Sequence, residues 1–455
     1  MRAVGPALAV LLAWPGVAAA QTGTVFNRPG SGARAAGMAN AFIAISDDGT
    51  AASWNPAGLG QLRKPEFSVV TTTSHQASSS EGFRTRDDMA LFSPIAAAYT
   101  GSYIDFGSLA VPVTIATKPV TFQASWRRLY TLDFRENVQT LRTPVTPRGP
   151  PRMLLEGNSD TTGGFSLLSI AGAVKLTSRL AIGGSFNVWR ADWDDAESAS
   201  ETLLDSDAPP RFESSQKHNR VRAHNLSVGI LLTYPRWSIG LLRQGTAHGE
   251  FSGTGTGRSS RDPQPPPDSF TGDAQFPQSL GLGVAWRPVP RWTVAFDLTW
   301  DEWSRTFLDL EDGTRIDVFN GLPLEVAATR NTLSASAGAE CLLHGEGFVI
   351  PIRFGAAWEP QGPRNPYTRD PVNFVMLAAG TGYNTNSLKF DAAFQYRWTS
   401  FRNAADFGLD PGNPLLPGAV GERASREWRV KLSVIVRLVD TERLHRTLRK
   451  VFGGA

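Results

Sequence analysis

Residue types that perform chemistry are scattered in this chain of 455 residues, and none falls into a catalytic pattern. There is no HExxH or other metal-binding spacing, no GxSxG nucleophile elbow and no phosphate-binding loop. The GTGTG run at 253–257 has no strand–turn–helix context. We therefore predict no enzyme, no cofactor and no metal site. The histidines are His75, His218, His224, His248, His344 and His445.

The best candidates for ligand contact are Trp126, Arg127 and Arg128. An amphiphile with a carboxylate needs an apolar pocket and one or two cations, and this triplet supplies a ring beside two guanidinium groups. Alternation places Arg127 on the inner face and Arg128 on the outer face. The alternative, which we favour, is that the two arginines mark a membrane–water interface, where arginine is tolerated at low cost.

Alternating apolar and polar residues predict the elements that carry these groups. Trp292, Val294, Phe296, Leu298 and Trp300 share one face of a strand, and residues two apart cannot share a face of a helix. Equivalent strands occur at 120–126, 225–232, 388–398 and 428–436. Their inner face reads as polar but not strongly charged.

Short turns alternate with long polar loops along the chain. Turns are predicted at 117–119, 177–179, 234–236, 288–290, 344–346 and 385–387. Loops are predicted at 75–90, 136–161, 198–218, 252–275, 307–329, 359–372 and 402–424. This is the pattern of an outer-membrane barrel with short periplasmic turns. The predicted fold is all-β, a 14-stranded antiparallel transmembrane β-barrel over 63–439.

The two ends of the chain have their own signals. Residues 1–20 read as a signal peptide cleaved after Ala20, which predicts export to the outer membrane of a Gram-negative-type bacterium. Residues 440–455 read as a basic periplasmic tail, with binding to an anionic membrane surface as the alternative. The single cysteine, Cys341, excludes an intramolecular disulfide. A net charge of +3 implies no nucleic-acid partner.

A small-residue segment precedes the strands, and we predict that residues 21–62 form a hatch inside the barrel. A 14-stranded barrel is wide enough to need a plug, and glycine and alanine allow close packing against its wall. Ser46, Asp47 and Asp48 could cap a short helix that ends near Asn55, because Pro56 disfavours helix at the preceding residue.

With these residues in view, the chain resembles the FadL-type family of outer-membrane transporters for long-chain fatty acids and aromatic hydrocarbons. The resemblance rests on GARAAGMANAFIAISDDGTAASWNPAGL, on Phe276–Ser304 and on Thr329–Glu340. Asn55, Pro56 and Ala57 match the family's NPA motif, which implies a hatch or gating role for them and for Asp47 and Asp48. The chain departs from the family at its last strand, which ends at Arg437-Leu438 without a terminal aromatic.

The resemblance implies passive transport of hydrophobic or amphiphilic small molecules, fatty acid-like or aromatic, through a hatch-gated barrel with lateral release. The expected partners are that ligand and outer-membrane lipid or lipopolysaccharide, and the expected state is a monomer. The first segment is also similar to the hatch of barrels involved in protein secretion, so a shuttle or anchor in secretion is the alternative function. An outer-membrane hydrolase is disfavoured, since no nucleophile motif is present.

Overall fold

The computed structural model describes residues 30–85, 90–147, 149–260, 267–311, 313–318, 323–364, 368–405 and 419–438. The predicted signal peptide and the basic tail lie outside these residues, so the proposed cleavage after Ala20 and the role of the tail stay predictions. Within the described ranges, no helix is both long enough and apolar enough to cross a membrane.

The described residues are mostly strand. In chain order the strands are β1 (Glu66–Ser80), β2 (Phe83–Thr85), β3 (Ala90–Phe92), β4 (Ile95–Ile115), β5 (Lys118–Thr131), β6 (Phe134–Pro144), β7 (Met153–Lys175), β8 (Leu180–Leu203), β9 (Arg211–Thr233), β10 (Trp237–Gln244), β11 (Ala247–Ser259), β12 (Asp268–Phe276), β13 (Ser279–Trp286), β14 (Trp292–Asp301), β15 (Phe307–Leu310), β16 (Arg315–Ile316), β17 (Thr332–His344), β18 (Val349–Pro360), β19 (Asn373–Asn384), β20 (Leu388–Ala405) and β21 (Ala419–Arg437). The helices are short: α1 (Ala33–Gly37), α2 (Leu324–Ala327) and the 3-10 turns Ala51–Ser53, Pro56–Gln61 and Trp303–Arg305.

These segments form one closed wall in which every pairing is antiparallel. The first strand pairs along its full length with the last, from Glu66 opposite Arg437 to Ser80 opposite Arg423. Four wall strands are each split into two segments (β5/β6, β10/β11, β12/β13 and β14/β15), and β2, β3 and β16 are short additions in loops. The predicted 14-stranded antiparallel barrel is confirmed.

The wall has an apolar outside and a mostly polar inside. On β14, Trp292, Val294 and Phe296 are exposed, whereas the alternate residues Ala295 and Asp297 are buried. The same alternation recurs on β9, where Leu226 is 63% exposed. Large apolar side chains that face outward all around a closed sheet are the surface that lipid requires, so this is a membrane barrel.

The short turns lie where the sequence predicts them, but the loops are shorter than predicted. Strands β7, β8 and β9 each run for 23 or 24 residues, and together with β6 they take in most of the predicted loops 136–161 and 198–218. Beyond the membrane the outward face of a strand does not have to be apolar. The hydrophobic alternation therefore disappears there, although the backbone pairing continues.

The prediction of a weakly charged inner face is wrong. Arg353, Arg397, Glu340, Asp391 and Glu427 all point inward and are almost completely buried. Each is paired: the Arg353 guanidinium lies 2.7 Å from both Glu340 and Asp391. A buried charge is tolerated when it is paired and hydrogen-bonded. The partners lie on different strands, so the pairing could not be recognised from local sequence.

Candidate functional site

Residues 30–62, which we call the lumen segment, run across the interior of the barrel. Inward-facing glycines of the wall leave room for it. A Cβ on Gly229 would lie 2.0 Å from the Asn55 side-chain oxygen, and a Cβ on Gly338 would lie 2.4 Å from the Met38 carbonyl oxygen. Both distances are far too short for real atoms, so the segment lies against bare backbone. The same close approach occurs at Gly183, Gly240, Gly283, Gly355 and Gly380.

One wall carboxylate anchors the middle of the lumen segment. The Asp297 Oδ2 atom accepts hydrogen bonds from the backbone N–H groups of Phe42, at 2.6 Å, and Ile43, at 2.8 Å. The Asp297 side chain is buried, and because side chains alternate between the two faces of β14, it points into the lumen. Charge-assisted hydrogen bonds of this kind are about twice as strong as neutral ones. Asp297 is therefore a positioning residue that sequence reasoning did not select.

The three residues of the NPA motif also have structural contacts. Asn55 is extended and caps the 3-10 turn Pro56–Gln61, accepting a hydrogen bond from the Ala57 N–H at 3.1 Å. Its amide nitrogen donates to the carbonyl oxygens of Ile43 and of wall residue Ile230. Asn55 thus ties two turns of the segment to β9. Its proposed part in gating stays a prediction.

Asp47 and Asp48 belong to a buried ion-pair network. Arg34 of the lumen segment pairs with Asp47 and forms a bidentate contact with Glu340 of the wall, at 2.8 and 3.0 Å. Burial alone would raise the pKa of the Asp48 carboxyl, but the positive charges of Lys389 and Arg34 hold that pKa below its usual value. The network joins the segment to the wall.

The predicted capping role of these aspartates is only partly right. Asp48 Oδ1 accepts hydrogen bonds from the N–H and the hydroxyl of Thr50. The helix that follows is a single 3-10 turn, Ala51–Ser53, whose N-cap Thr50 makes no side-chain capping bond.

Above the lumen segment the interior is arranged in two layers. The first is a patch of neutral polar side chains with one cation, Arg127, on the five adjacent strands β5, β7, β8, β9 and β10. Within it Ser169 donates to Asn187, and both Asn187 and Trp189 donate to the Asn225 oxygen. This layer lines a cavity of about 20 Å³. It consists of Ser125, Arg127, Ser169, Ser185, Asn187, Asn225, Ser227 and Gln244.

The second layer, nearer the long loops, is an apolar cluster rich in aromatic rings. Trp189 stacks on Phe276 with centroids 5.3 Å apart, and Phe165 meets Phe276 edge to face at 5.5 Å. Its buried members are Leu129, Tyr130, Phe165, Leu167, Trp189, Ala191, Val221, Ala223, Ala247, Phe251, Ala274, Phe276, Trp303, Leu308 and Ile316. The order of layers repeats along single strands: on β9, Gly229 meets the segment, Asn225 and Ser227 are polar, and Val221 and Ala223 are apolar.

The predicted ligand residues on β5 lie on different sides of the wall. Arg127 is buried and donates to the Ser53 carbonyl of the lumen segment at 3.3 Å. Arg128 pairs with Asp133 at 3.4 Å, and its guanidinium lies 5.5 Å from the centre of the Tyr103 ring on β4. Trp126 is half-buried, opposite Gly107 and Leu168 of the neighbouring strands. Only Arg127 reaches the polar layer.

Arg127 also marks the end of a strand ladder. Strand β4 pairs with β5 from Ile115 opposite Lys118 up to Phe106 opposite Arg127. Beyond that point, among the strands the structure describes, β4 pairs only with β1. The rest of β5, and β6 as far as Thr140, pair only with β7. The strands rejoin at β3, where Phe92 lies opposite Arg142. We call this unpaired interval the wall window.

A local irregularity accompanies the wall window. The register between β5 and β7 shifts between Arg128 and Tyr130, and β7 carries two glycines at positive φ there, Gly163 and Gly164. Asp133 holds the bend, since its carboxylate accepts a hydrogen bond from the Gly163 N–H at 2.7 Å. The pair of glycines in TTGGF was the only sequence signal for this feature.

Within the described ranges, no group of three or more histidine, cysteine or acidic residues is arranged to hold a metal ion. The structure is thus a membrane barrel whose lumen holds a folded segment, a polar layer and an apolar cluster.

The fold matches FadL-type barrels. A Pseudomonas aeruginosa FadL homologue aligns with a TM-score of 0.63 at 15% identity, over 91% of this chain and 99% of that one. The P. putida toluene transporter TodX aligns at 0.58 and 13%, over 90% and 99%. The CymD monoaromatic hydrocarbon channel aligns at 0.56 and 14%, over 91% and 99%. No family model and no curated protein sequence matches the chain.

Proposed function

We propose that this protein is a passive transporter of hydrophobic or amphiphilic small molecules in the outer membrane. The observation that carries the proposal is the interior layering, with an apolar aromatic cluster directly above a polar layer that contains one cation. Apolar pockets with a few convergent polar groups are the usual binding sites for such ligands. Structural neighbours of similar fold include a toluene transporter and a monoaromatic hydrocarbon channel.

Ligand entry requires the cluster to open. The cavity of about 20 Å³ is far smaller than the roughly 150 Å³ that holds one benzene molecule. The rings of Phe251 and Phe270 meet through a tilted contact of 5.2 Å and carry no hydrogen-bonding group, so displacing them costs no polar partner. A bound ligand would take the place of this ring contact.

The exit that fits this interior is sideways through the wall window. The lumen segment is fastened to the wall by Asp297, Asn55 and Arg34, so a path straight through it would break several buried polar contacts. The wall window begins beside Arg127, at the level of the polar layer. No strand ladder has to be broken there. Lateral release therefore costs less than displacement of the segment.

Uptake by cells tests the proposal. A host that lacks its own uptake barrel, expressing this chain, should take up radiolabelled oleate or toluene faster than the empty vector. Phe251→Asn places an amide in the apolar cluster and should reduce uptake, whereas Thr256→Asn on the exposed face of the same strand β11 should not. Heat-modifiable migration on gels verifies that each barrel is folded. Uptake equal to the vector with folded protein, and a secreted protein bound stoichiometrically, would favour the role in secretion instead.

A further inference from the structure

Two arginines lie side by side on the outside of the barrel with no ion-pair partner. Arg190 on β8 and Arg222 on β9 are directly opposite each other, and both are exposed. Side chains at opposite positions have Cβ atoms about 5 Å apart, where like charges repel. Neither guanidinium makes an ion pair with any described residue. Asp192, the nearest acid on β8, already pairs with Arg220 at 3.4 Å.

The position of this pair relative to the membrane follows from the ladder between β8 and β9. The outward-facing opposite pairs are, in order, Phe186 with Leu226, then Val188 with His224, then Arg190 with Arg222. Phe186 and Leu226 are 46% and 63% exposed and belong to the apolar belt. Arg190 and Arg222 lie two residues beyond the intervening pair, Val188 and His224. Two residues of a strand tilted by about 40° rise about 5 Å, which is about the thickness of the headgroup layer on one side of a bilayer. Arg190 and Arg222 therefore lie at the level of lipid headgroups.

We propose that Arg190 and Arg222 form a binding site for the phosphate groups of a phosphorylated lipid in the outer leaflet of the membrane. The oxygen atoms of one phosphate group can accept hydrogen bonds from two guanidinium groups at once. The negative charge of the phosphate then offsets the repulsion between the two arginines. Strand β11, the other neighbour of β9, limits the extent of the site. Glu250 on β11 lies opposite Arg222, followed by Asp273 and Asp309 on the next strands, and these acids would repel phosphate. The site is thus confined to β8 and β9. The inference rests on the outer-membrane location proposed above, but not on transport.

Lipid binding to the purified full chain in detergent tests the assignment. The probe is lipid A with two phosphates, titrated by native mass spectrometry against its dephosphorylated form. Each arginine replaced by glutamine should weaken binding of the phosphorylated form about 5-fold, and the double variant Arg190→Gln/Arg222→Gln about 25-fold. Glu250→Gln should strengthen it. Binding of the dephosphorylated lipid should change in none of these variants.

A matched control removes the same charge far from the proposed site. Arg258→Gln, on the same wall but eight residues beyond Glu250 on β11, should leave lipid A binding unchanged. An equal loss in Arg258→Gln, or no loss in the double variant, would overturn the proposal. Displacement of the lipid by sub-millimolar inorganic phosphate would also overturn it, in favour of a site for free phosphate. Because the readout is lipid binding by folded protein, a failure of uptake would leave the result intact.

Discussion

At the residue scale, the contact between Asp297 and the lumen segment shows how one side chain can position an entire segment. Other charged side chains that face the lumen, such as Arg353, pair with a side chain of opposite charge. Asp297 instead accepts hydrogen bonds from two backbone N–H groups. Phe42 and Ile43 cannot find other acceptors easily, because they are completely or almost completely buried. The Asp297 carboxylate therefore holds the backbone of the segment at Phe42 and Ile43, whose own side chains have no polar group that could bind the wall.

Replacing Asp297 by alanine should loosen this region. Leaving a buried N–H group without an acceptor costs about 1–3 kcal/mol, so amide exchange in the peptide around Phe42 and Ile43 should become about 10- to 100-fold faster. Hydrogen-exchange mass spectrometry measures this effect. Asp309→Ala, which removes a half-buried carboxylate from β15, is the control. Unchanged exchange in Asp297→Ala would show that the segment is held by its other contacts.

At the element scale, the fit between the lumen segment and the wall depends on missing side chains. Gly229→Ala would place a methyl group 2.0 Å from the Asn55 oxygen, and Asn55 has three hydrogen bonds to lose by moving. We expect the barrel to assemble, but the segment to become sensitive to added protease and uptake to change. Gly172→Ala on β7, where the new atom comes no closer than 3.6 Å to its neighbours, should behave like the parent protein. Full protease resistance of Gly229→Ala would contradict a tight fit.

The wall window gives a second prediction at this scale. In a Cys341→Ser background, Tyr103→Cys and Arg128→Cys place thiols on its two sides, where the parent side chains meet at 5.5 Å. Joining them with a reducible bifunctional reagent of about 10 Å should block ligand uptake, and reduction should restore it.

The matched control for this experiment is Tyr396→Cys with Trp428→Cys. These positions are opposite each other on the continuous ladder between β20 and β21, so cross-linking them does not close an opening in the wall and should leave uptake unchanged. Undiminished uptake after cross-linking across the wall window would rule out lateral passage there, while leaving transport itself standing.

At the scale of the whole molecule, the barrel and the lumen segment have different requirements. The wall closes through backbone pairing between β1 and β21, and the inward ion pair of Lys431 with Asp105 joins β21 to β4; neither contact involves the segment. We therefore expect a chain that lacks residues 30–62 to assemble as a barrel. Without its filling, a 14-stranded barrel should conduct ions.

Planar bilayer recordings measure this difference. The shortened protein should show large, steady conductance, and the full chain little or none. Heat-modifiable migration provides the control for assembly. A shortened protein that is folded but closed would mean that the extracellular loops, rather than the lumen segment, seal the barrel.

The sequence alone determined the fold class, the number of strands, the turn positions and the inner or outer orientation of residues such as Trp292 and Arg127. These follow from local periodicity, because a strand shows one face to lipid and the other to the lumen, and the lipid face must be apolar. The loops were overestimated, since beyond the membrane β7 and β8 continue without any hydrophobic alternation.

Only the tertiary structure decided which wall residues contact which residues of the lumen segment. Asp297 meets Phe42 across more than 250 positions of sequence, and Glu340 meets Arg34 across 306. Neither contact leaves a local pattern, because each depends on the register of strands that are far apart in the chain. The same holds for the break after Arg127. The pairing between β4 and β5 ends there, and both strands carry a register shift close to that point.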